Sequence, residues 1–553
     1  MSLLASDLEQ PSRLRRMLCW FFSWRGVRCF LFLAVAFVTA VFLVVGIYNW
    51  YFERSWKQER ARLETKGEKL RVADFAPPEV PDDQNMAMIP LFKPLITMLE
   101  HHIARGTVDW PTGGVEKSFL QGPMFSVAER NKADGKEPNK APEFGEWILG
   151  RTTDLVAWQD FFADHSEYPH PKTPGSPGKD VLFALSRDAA GAAALIEGAK
   201  RPFLRFPVHY GKANPASIVL PHLTTLKRIA TYEQLAGVAS LSEGQTDQAL
   251  DHLFVGFRLL SGVERESMMI SQLVHRVMFR ILSQIIWEGA VIHAWKEPQL
   301  LRIQEELSRI DFIRNGDRSI RLERAFANTM YDFYTGKGAQ LRDDLASPQG
   351  DASGSEEKLP RLLSFIFPSG LLRQNQITHN ACFDQFIELW STIQPKPGEY
   401  RPVTQEKIGA ILDPILKSKS PSSILVKLWV PAMDKFGLNM QEAQAWRDVM
   451  LVGLALERAR LVDGDYPESL ATLSTRWLEK VPGDIFNGKS LGYRKDQPGH
   501  CVVYSVGPDG VDDQGKPPAS LREPNPNNGL RAGQWTGTLR GTGDLGWRMG
   551  AAR

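Results

Sequence analysis

The chain has 553 residues, more than one ordinary domain needs, and its 43% hydrophobic content is enough for about two or three packed cores. Its 66 Lys and Arg residues nearly balance its 64 Asp and Glu residues, so the charge of the whole chain does not favour nucleic acid as a partner. The four cysteines form no C-x-x-C pair, and this argues against a structural zinc site.

The first predicted element is a membrane-spanning helix from Cys29 to Ile47. These nineteen residues carry no charge, and at 1.5 Å per residue they extend roughly 28 Å, about the thickness of a bilayer's hydrocarbon core. A cleaved signal peptide is the alternative, because Val38 to Ala40 resembles a cleavage site, but seven apolar residues follow it. We therefore predict an uncleaved anchor. Aromatic residues that favour the headgroup boundary flank it on both sides: Trp20, Trp24, Trp50 and Tyr51.

Basic residues on both sides of this span leave its orientation open. Five precede it and six follow it within a similar distance, so the positive-inside rule gives no preference. Long domains can be translocated whatever their flanking charge. From the character of the C-terminal module described below, we predict that residues 1–28 form a basic cytoplasmic tail and that the bulk of the chain lies in the periplasm.

Residues 48–90 predict a helical continuation of the span followed by a proline-rich linker. Glu53 to Val72 is charged and free of proline, which favours a helix that extends out of the membrane. Asp74 to Pro90 contains four prolines, which remove backbone donors and favour extended conformations. This second segment is either a linker or a strap laid over the next domain.

Residues 91–439 predict a mainly α-helical body. A short helix is expected around Trp147 to Phe162, between two proline-rich loops. From Ala216 to Tyr334 apolar residues recur with the period of a helix and few breakers intervene. The polar segment Ser347 to Leu359 is rich in Ser and Gly, so we predict a flexible loop within the body.

One helix pair in this body resembles a tetratricopeptide hairpin. Gly244 interrupts the pair, and three residues are small where such a hairpin brings its helices together: Gly237, Ala249 and Gly256. Thirty-four residues after Gly244, however, Met278 stands where the turn glycine would recur. We therefore predict an irregular antiparallel α-helical array and not a true repeat protein.

Residues 440–553 predict a small α+β module with antiparallel hairpins. A last long helix, Gln441 to Val462, is expected to end at Gly464, which can adopt the left-handed cap conformation. Apolar residues then alternate with polar ones through a turn at Asn487-Gly488, which indicates a hairpin: Ile485, Phe486, Leu491 and Tyr493. The run from Val502 to Val506 predicts the next strand.

Three stretches of this module, "LALERARLVDGDYPESLATL", "VPGDIFNGKSLGYRKD" and "CVVYSVGPDGVDD", resemble the globular head of type II secretion major pseudopilins. Those heads share a helix ending in a Gly-x-Tyr-Pro turn, a Leu-Pro-x-Asp hairpin and a Tyr-Ser-x-Gly-x-Asp-Gly loop. The closing "GDLGW" is also similar, although this family's Asn is missing. No pseudopilin processing site precedes Cys29, so the resemblance does not imply polymerisation. The whole layout resembles bacterial single-pass membrane-anchored proteins, a resemblance that implies no activity.

The acidic loop after this strand is the candidate metal site. Gly507 and Gly510 allow a tight backbone, and Asp509, Asp512 and Asp513 are spaced so that their carboxylates can converge on one hard cation. The spacing does not match an EF-hand. The resemblance to pseudopilins implies calcium bound by Asp509, by Asp512 or Asp513, and by the closing Asp544. A solvated turn without metal is the alternative.

Catalytic motifs give little support to an enzyme. "GKSLG", Gly488 to Gly492, matches the Gly-x-Ser-x-Gly pattern but lacks the strand before it and the helix after it. No zinc-protease motif or Gly-rich phosphate loop occurs, and no catalytic residue is assigned. We therefore predict an inner-membrane, single-pass protein with a non-catalytic binding or scaffold function in the envelope or in a secretion-related assembly. The expected partners are the lipid bilayer and another envelope or secretion protein. The alternative is a membrane-anchored, hydrolase-like enzyme with a site between the helical body and the C-terminal module.

Overall fold

The computed structural model describes residues 24–105, 141–212, 214–335, 337, 368–429, 431–474, 476–518 and 543–549. The described residues are mainly helical, with one small antiparallel sheet. This confirms the predicted fold class at the level of a mainly α chain with a long apolar N-terminal helix and a small C-terminal sheet. The loop predicted at 347–359 and the first 23 residues of the basic tail lie outside the described residues.

The α-helices and strands are numbered here in chain order. The helices are α1 Trp24–Thr65, α2 Lys93–Arg105, α3 Leu155–Ala163, α4 Pro177–Leu185, α5 Ala189–Ala199, α6 Pro221–Ser242, α7 Thr246–Arg265, α8 Met269–Val291, α9 Glu297–Arg309, α10 Phe312–Tyr334, α11 Ser369–Ser391, α12 Gln405–Lys417, α13 Val426–Trp429 and α14 Pro431–Asp463. The strands are β1 Gly492–Gln497, β2 His500–Ser505 and β3 Leu545–Met549.

The chain divides into two compact units. The N-terminal unit comprises Met1–Gly67 and Tyr331–Thr378, and the main unit comprises Glu68–Met330 and His379–Arg553. Each unit is described separately below.

The N-terminal unit is built on α1, which is long and apolar enough to cross a membrane. The predicted continuation beyond the span is confirmed, but the helix ends at Thr65 and not at Val72 because Gly67 adopts a left-handed φ of 78° and closes the last turn. The stretch of α1 after the span contacts the start of α11. Tyr48 Oη donates to Gln374 Oε1 at 2.6 Å, and the Gly370 amide donates to Asn49 Oδ1 at 2.7 Å.

An ion-pair cluster holds the same two helices of the N-terminal unit together. Arg373 donates to Glu53 Oε2 at 2.8 Å and also pairs with Asp332. Its guanidinium lies 6.0 Å from the ring centroid of Trp56, which is buried. One arginine therefore connects α1 with the end of α10 and the start of α11.

The main unit begins with the proline-rich segment, which forms a strap. The Met86 amide donates to Phe203 O at 2.7 Å, and the Phe203 amide donates to Gln84 O at 3.1 Å. The side chain of Asn85 bonds to both the amide and the carbonyl of Arg205, at 2.9 Å each. These bonds replace the sheet or helix partners that proline-rich backbone otherwise lacks.

The predicted short helix around Trp147 to Phe162 is wrong as a single element. A 3-10 turn covers Trp147–Leu149, and the α-helix α3 begins only at Leu155. The break occurs because Gly150 adopts a left-handed φ of 68°, which ends the first turn. The Asp154 side chain then accepts from the Ala157 amide and caps α3.

Helices α6, α7 and α8 form the centre of the core, and they explain two of the small residues. Gly244 turns the chain between α6 and α7 with a φ of 71°. A Cβ on Gly237 would lie 2.9 Å from Ile285, and one on Gly256 would lie 2.4 Å from Leu282. Both glycines therefore allow α8 to approach closely, whereas the sequence pattern predicts close approach within the α6–α7 pair.

The last long helix, α14, begins ten residues earlier than predicted, at Pro431. Proline is favoured at the first helical position, and the helix continues through Gly437, where a Cβ would lie 3.2 Å from the ring of Trp390. Its end agrees with the prediction: Gly464 adopts a φ of 88°, and its amide donates to Arg460 O at 2.9 Å. A Cβ on Gly453 would lie 2.5 Å from Trp547, so α14 and β3 are in close contact.

The sheet has the strand order β1-β2-β3, with both pairs antiparallel. The turn predicted at Asn487-Gly488 is present, with Gly488 at a φ of 72° and an isolated antiparallel bridge between Gly483 and Ser490, but among the described residues no pair of strands extends from it. The turn of the observed hairpin is Pro498-Gly499, with Gly499 at a φ of 75°, as a Pro-Gly turn favours. Asn487-Gly488 instead closes a small loop in which the Asp484 amide donates to Lys489 O at 2.7 Å.

Candidate functional site

The acidic loop between β2 and β3 is shaped by left-handed residues. Gly507, Gly510 and Gly515 have φ angles of 74°, 69° and 79°, and Gln514 has a φ of 57°. This backbone brings the loop against Asp544, just before β3. The Gly515 amide donates to Asp544 Oδ2 at 2.6 Å, and the Asp544 amide donates to Lys516 O at 2.7 Å.

Two of the four predicted metal residues, Asp513 and Asp544, contribute unpartnered carboxylate oxygens to this loop. Burial raises the pKa of Asp544, and the negative charges of Asp512 and Asp513 act in the same direction, although amide donors partly offset both effects. Asp544 is fully buried, and its Oδ1 has no hydrogen-bond partner. Asp513 Oδ2 is likewise buried without a partner. Two carboxylate oxygens in this loop are therefore available to a further ligand.

Asp509 is placed differently from the other three. It is exposed, and its Oδ1 accepts from the Val511 amide at 3.1 Å, which stabilises the turn locally. Asp512 also has local partners, because its Oδ1 accepts from Tyr504 Oη at 3.0 Å and from the Gln514 amide at 2.8 Å. Asp513 and Asp544 are thus the members of the predicted set with unused oxygens.

The fit to calcium rests on those two oxygens. Calcium takes six to eight oxygen ligands, including backbone carbonyls and water, at about 2.3–2.6 Å. In the described part of the chain, no group of three or more His, Cys, Asp or Glu side chains is arranged so that it could hold a metal ion. Carbonyl and water oxygens would therefore have to complete the coordination around Asp513 and Asp544, and the four-aspartate site stays a prediction.

Asp484 is a residue of this module that the sequence interpretation missed. Its carboxylate accepts from the Phe486 amide, from Ser505 Oγ and from the Val506 amide at 2.8–2.9 Å. Burial raises its pKa, and these donors offset part of the effect. Because its oxygens are satisfied, Asp484 joins the small loop to β2 and is not a candidate ligand. The only sequence signal for it is its place in "VPGDIF".

A wide cleft of about 1000 Å³ lies in the main unit beside the sheet. Its walls come from three segments, residues 395–401, 468–474 and 480–493. Ser490 of the "GKSLG" motif lies in it, on an isolated bridge with Gly483 and not on a strand-to-helix elbow. The structure thus places this serine in a cavity without the backbone geometry of a hydrolase nucleophile.

Two acidic residues of the cleft are paired with lysines. Lys480 Nζ lies 2.6 Å from Glu399 Oε1, and this hydrogen bond and charge lower the pKa of Glu399. Glu468 pairs with Lys495 at 2.7 Å. Tyr493 Oη donates to Pro467 O at 2.6 Å, and burial raises the pKa of this tyrosine. Such groups can bind polar ligands, but the lowered pKa of Glu399 and the raised pKa of Tyr493 both lie farther from neutral pH, whereas a general acid or base requires a pKa near it.

Tyr493 of β1 lines this cleft, and β1 is an edge strand of the described sheet, paired only with β2. An unpaired strand edge beside an open cleft is the arrangement to which extended peptides add as a further strand.

Comparisons with protein-family models, with curated proteins and with solved structures found no match to this chain.

Proposed function

We propose that this chain is a single-pass, membrane-anchored periplasmic protein that binds another envelope or secretion protein without catalysing a reaction. The observation that carries the proposal is the cleft beside β1, which is open and polar and whose acidic residues Glu399 and Glu468 are paired with lysines. Anchoring rests on α1, which is long and apolar enough to span a bilayer. Its orientation, with the N-terminus inside, belongs to the proposal.

The lining of the cleft supports a protein ligand. A binding groove for an extended peptide needs an unpaired strand edge and polar walls that stay solvated without it. β1 provides the edge, and the Lys480–Glu399 pair provides a wall whose charges are already neutralised. A small-molecule enzyme site would instead be expected to have perturbed ionisable groups in an enclosed pocket.

The proposal also includes the features that the resemblances imply. We propose that residues 440–553 form a pseudopilin-like head, that the α6–α7 pair is a TPR-like hairpin, and that calcium binds at the acidic loop. Asp513 and Asp544 would hold the ion through their unpartnered oxygens, and Asp512 and Asp509 complete the predicted set. The bound ion would supply positive charge that joins the loop to the strand that follows Asp544.

Site-specific crosslinking in cells tests the binding function. A photo-reactive p-benzoylphenylalanine in place of Lys489, an exposed residue of the cleft, is expected to give a discrete protein adduct of one size. The matched control replaces Lys200, whose side chain is 68% exposed away from the cleft residues, and is expected to give none. Adducts of equal yield at both positions, or none at Lys489, would contradict the proposal.

The enzyme alternative is tested in the same cleft. If the purified full chain hydrolyses model ester or amide substrates and Ser490→Ala abolishes that activity, the cleft is catalytic and the binding proposal is wrong.

The orientation is tested by fusing alkaline phosphatase, which is active only outside the cytoplasm, after Arg71. We expect an active fusion, and a cytoplasmic reporter active at the same position would reverse the orientation.

A further inference from the structure

A basic and apolar surface on the main unit has no role in the proposed function. Between Pro414 and Met433 the sequence carries three lysines and no acidic residue. Three aliphatic side chains of the same stretch are exposed: Leu416, Ile424 and Leu428. These lysines and aliphatic residues together are called the lysine–leucine patch below.

The patch is exposed although neighbouring residues of the same segment are buried. Ile424, two residues before α13, and Leu428, within it, are 53% and 63% exposed. Between them Leu425 and Val426 are buried. The buried residues hold this segment in the main unit, while Ile424 and Leu428 remain more than half exposed.

The three lysines lie in the same stretch of the chain as these aliphatic side chains. Lys427 Nζ donates to Ser418 O, which connects α13 with the end of α12. Lys417 pairs with Asp413 on the surface of α12, and both side chains are mostly exposed, so this pair contributes little and can be exchanged for another anion. Lys419 is exposed. The patch therefore combines exposed aliphatic side chains with three lysines, one of which pairs with a neighbouring aspartate.

We propose that the lysine–leucine patch docks on the anionic headgroup surface of the bilayer that holds α1. Exposed aliphatic side chains beside lysines are the combination that binds the interface of anionic membranes. Charge argues against a second copy as the occupant, because a two-fold contact would place these lysines opposite the same lysines. The inference rests on the proposed membrane anchoring, which keeps the chain at a lipid surface.

The test uses the full chain in nanodiscs with an environment-sensitive fluorophore on single cysteines. Cys19→Ser and Cys29→Ser remove the reactive native thiols, since Cys382 and Cys501 are buried. Labels are placed at Leu428→Cys in the patch, at Phe37→Cys in α1 and at Val156→Cys, which is exposed near Asp154 and Asp160. Lipids that carry a quencher then report which labels touch the bilayer.

We expect quenching at positions 37 and 428 and none at 156. Quenching at 37 without quenching at 428 would overturn the docking and leave the anchoring intact, whereas no quenching at 37 would overturn the anchoring itself. Quenching at 428 that appears only in discs holding two copies would assign the patch to a second copy and overturn the proposal.

Lipid charge provides the second arm of the test. With phosphatidylglycerol in the disc, the Lys417→Gln/Lys419→Gln variant should lower the ratio of docked to undocked chain by roughly fivefold per lysine. Lys427 is kept, because it bonds to Ser418. With phosphatidylcholine alone, the variant and the unchanged protein should be alike. Equal quenching at 428 in both lipids, unaffected by the variant, would overturn the role of the lysines.

Discussion

Two buried carboxylates of the main unit differ in their hydrogen bonding. One is Glu457, at the end of α14, and the other is Asp544, in the closing loop before β3. Glu457 accepts hydrogen bonds from His293, Arg460 and Tyr466 at 2.7–2.9 Å, and these donors outweigh burial and lower its pKa. Asp544 is equally buried, but one oxygen has no partner and its pKa is raised. The first carboxylate is satisfied by the protein, and the second has capacity for a ligand.

Within one module, one carboxylate therefore stabilises the fold and the other is a candidate ligand. Removing a carboxylate that the chain satisfies leaves several donors unpaired, which costs stability. Removing a carboxylate that repels its neighbours relieves an unfavourable interaction unless a cation normally occupies the loop. The two sites should therefore respond oppositely to substitution, to calcium and to pH.

The largest effect is expected for a change in β3, the strand that follows Asp544. Trp547→Ala deletes a fully buried ring of β3 that packs on Gly453 of α14, and such truncations cost about 3–5 kcal/mol. Because β3 follows Asp544 directly, the calcium response should disappear as well. Urea unfolding of the detergent-solubilised chain, with and without calcium, measures both. Trp547→Phe is the control, and a Trp547→Ala variant that keeps its full calcium response would separate β3 from the loop.

A somewhat smaller effect is expected at the other carboxylate. Glu457→Gln leaves Arg460 and His293 without their charge partner and should lower the free energy of unfolding by about 3 kcal/mol, the lower end for a buried pair because both partners reach solvent. The exposed Glu479 provides the control, since Glu479→Gln should change stability by less than about 0.5 kcal/mol. Equal effects of the two changes would show that the network contributes nothing.

Calcium should distinguish the two carboxylates directly. At a hundredfold excess of calcium over Kd, binding to the folded state adds about 2.7 kcal/mol. Asp544→Asn should abolish this gain, whereas Glu457→Gln should keep it. Thermal melting with calcium and with a chelator provides the measurement. Asp509→Ala tests whether Asp509 is a calcium ligand. The resemblance includes this carboxylate in the ligand set, whereas in the structure it stabilises its own turn. Identical midpoints for the unchanged protein under both conditions would leave a turn without metal.

The smallest expected effect is a difference in how stability depends on pH. Each tenfold change in the acid dissociation constant of a carboxyl group changes the free energy of unfolding by on the order of 1 kcal/mol. The lowered pKa of Glu457 gives stability that is present above its ordinary value of 4.5 and lost as pH falls through the lowered one. The raised pKa of Asp544 stabilises the metal-free fold below its ordinary value of 3.8, and this contribution is lost as pH rises through the raised one. Unfolding of Glu457→Gln and Asp544→Asn between about pH 3 and pH 7, in chelator, should therefore show slope changes of opposite sign. Slope changes of the same sign would contradict the assignment.

Local signals in the sequence predicted the elements that local forces determine. The uncharged run of α1, the helix cap at Gly464 and the apolar strand β2 all appear where expected. Asn487-Gly488 and Pro498-Gly499 are both strong turn signals and both form turns, but only the second joins two strands of the sheet. The local sequence does not distinguish them, and Asp484, which precedes the first turn, bonds to Ser505 and Val506.

The candidate site shows the same limit. The glycine-rich acidic loop is evident from composition, but the satisfied state of Glu457 is not, because its partner His293 lies 164 residues away. The spacing of Gly237 and Gly256 indicates close helix approach, yet the approaching helix is α8. Periodicity indicates which side of a helix is buried and does not identify the neighbour that buries it.

The unbroken course of α1 has a mechanical consequence. Its backbone passes from the apolar run to the contacts at Tyr48, Asn49 and Glu53 without a proline or a break. A helix without such a joint transmits rotation and tilt along its length as a stiff rod. Bilayers of different thickness change the tilt of a spanning helix, so the start of α11, bonded to α1 at Gly370 and Gln374, is carried through the same angle as the lipid composition changes.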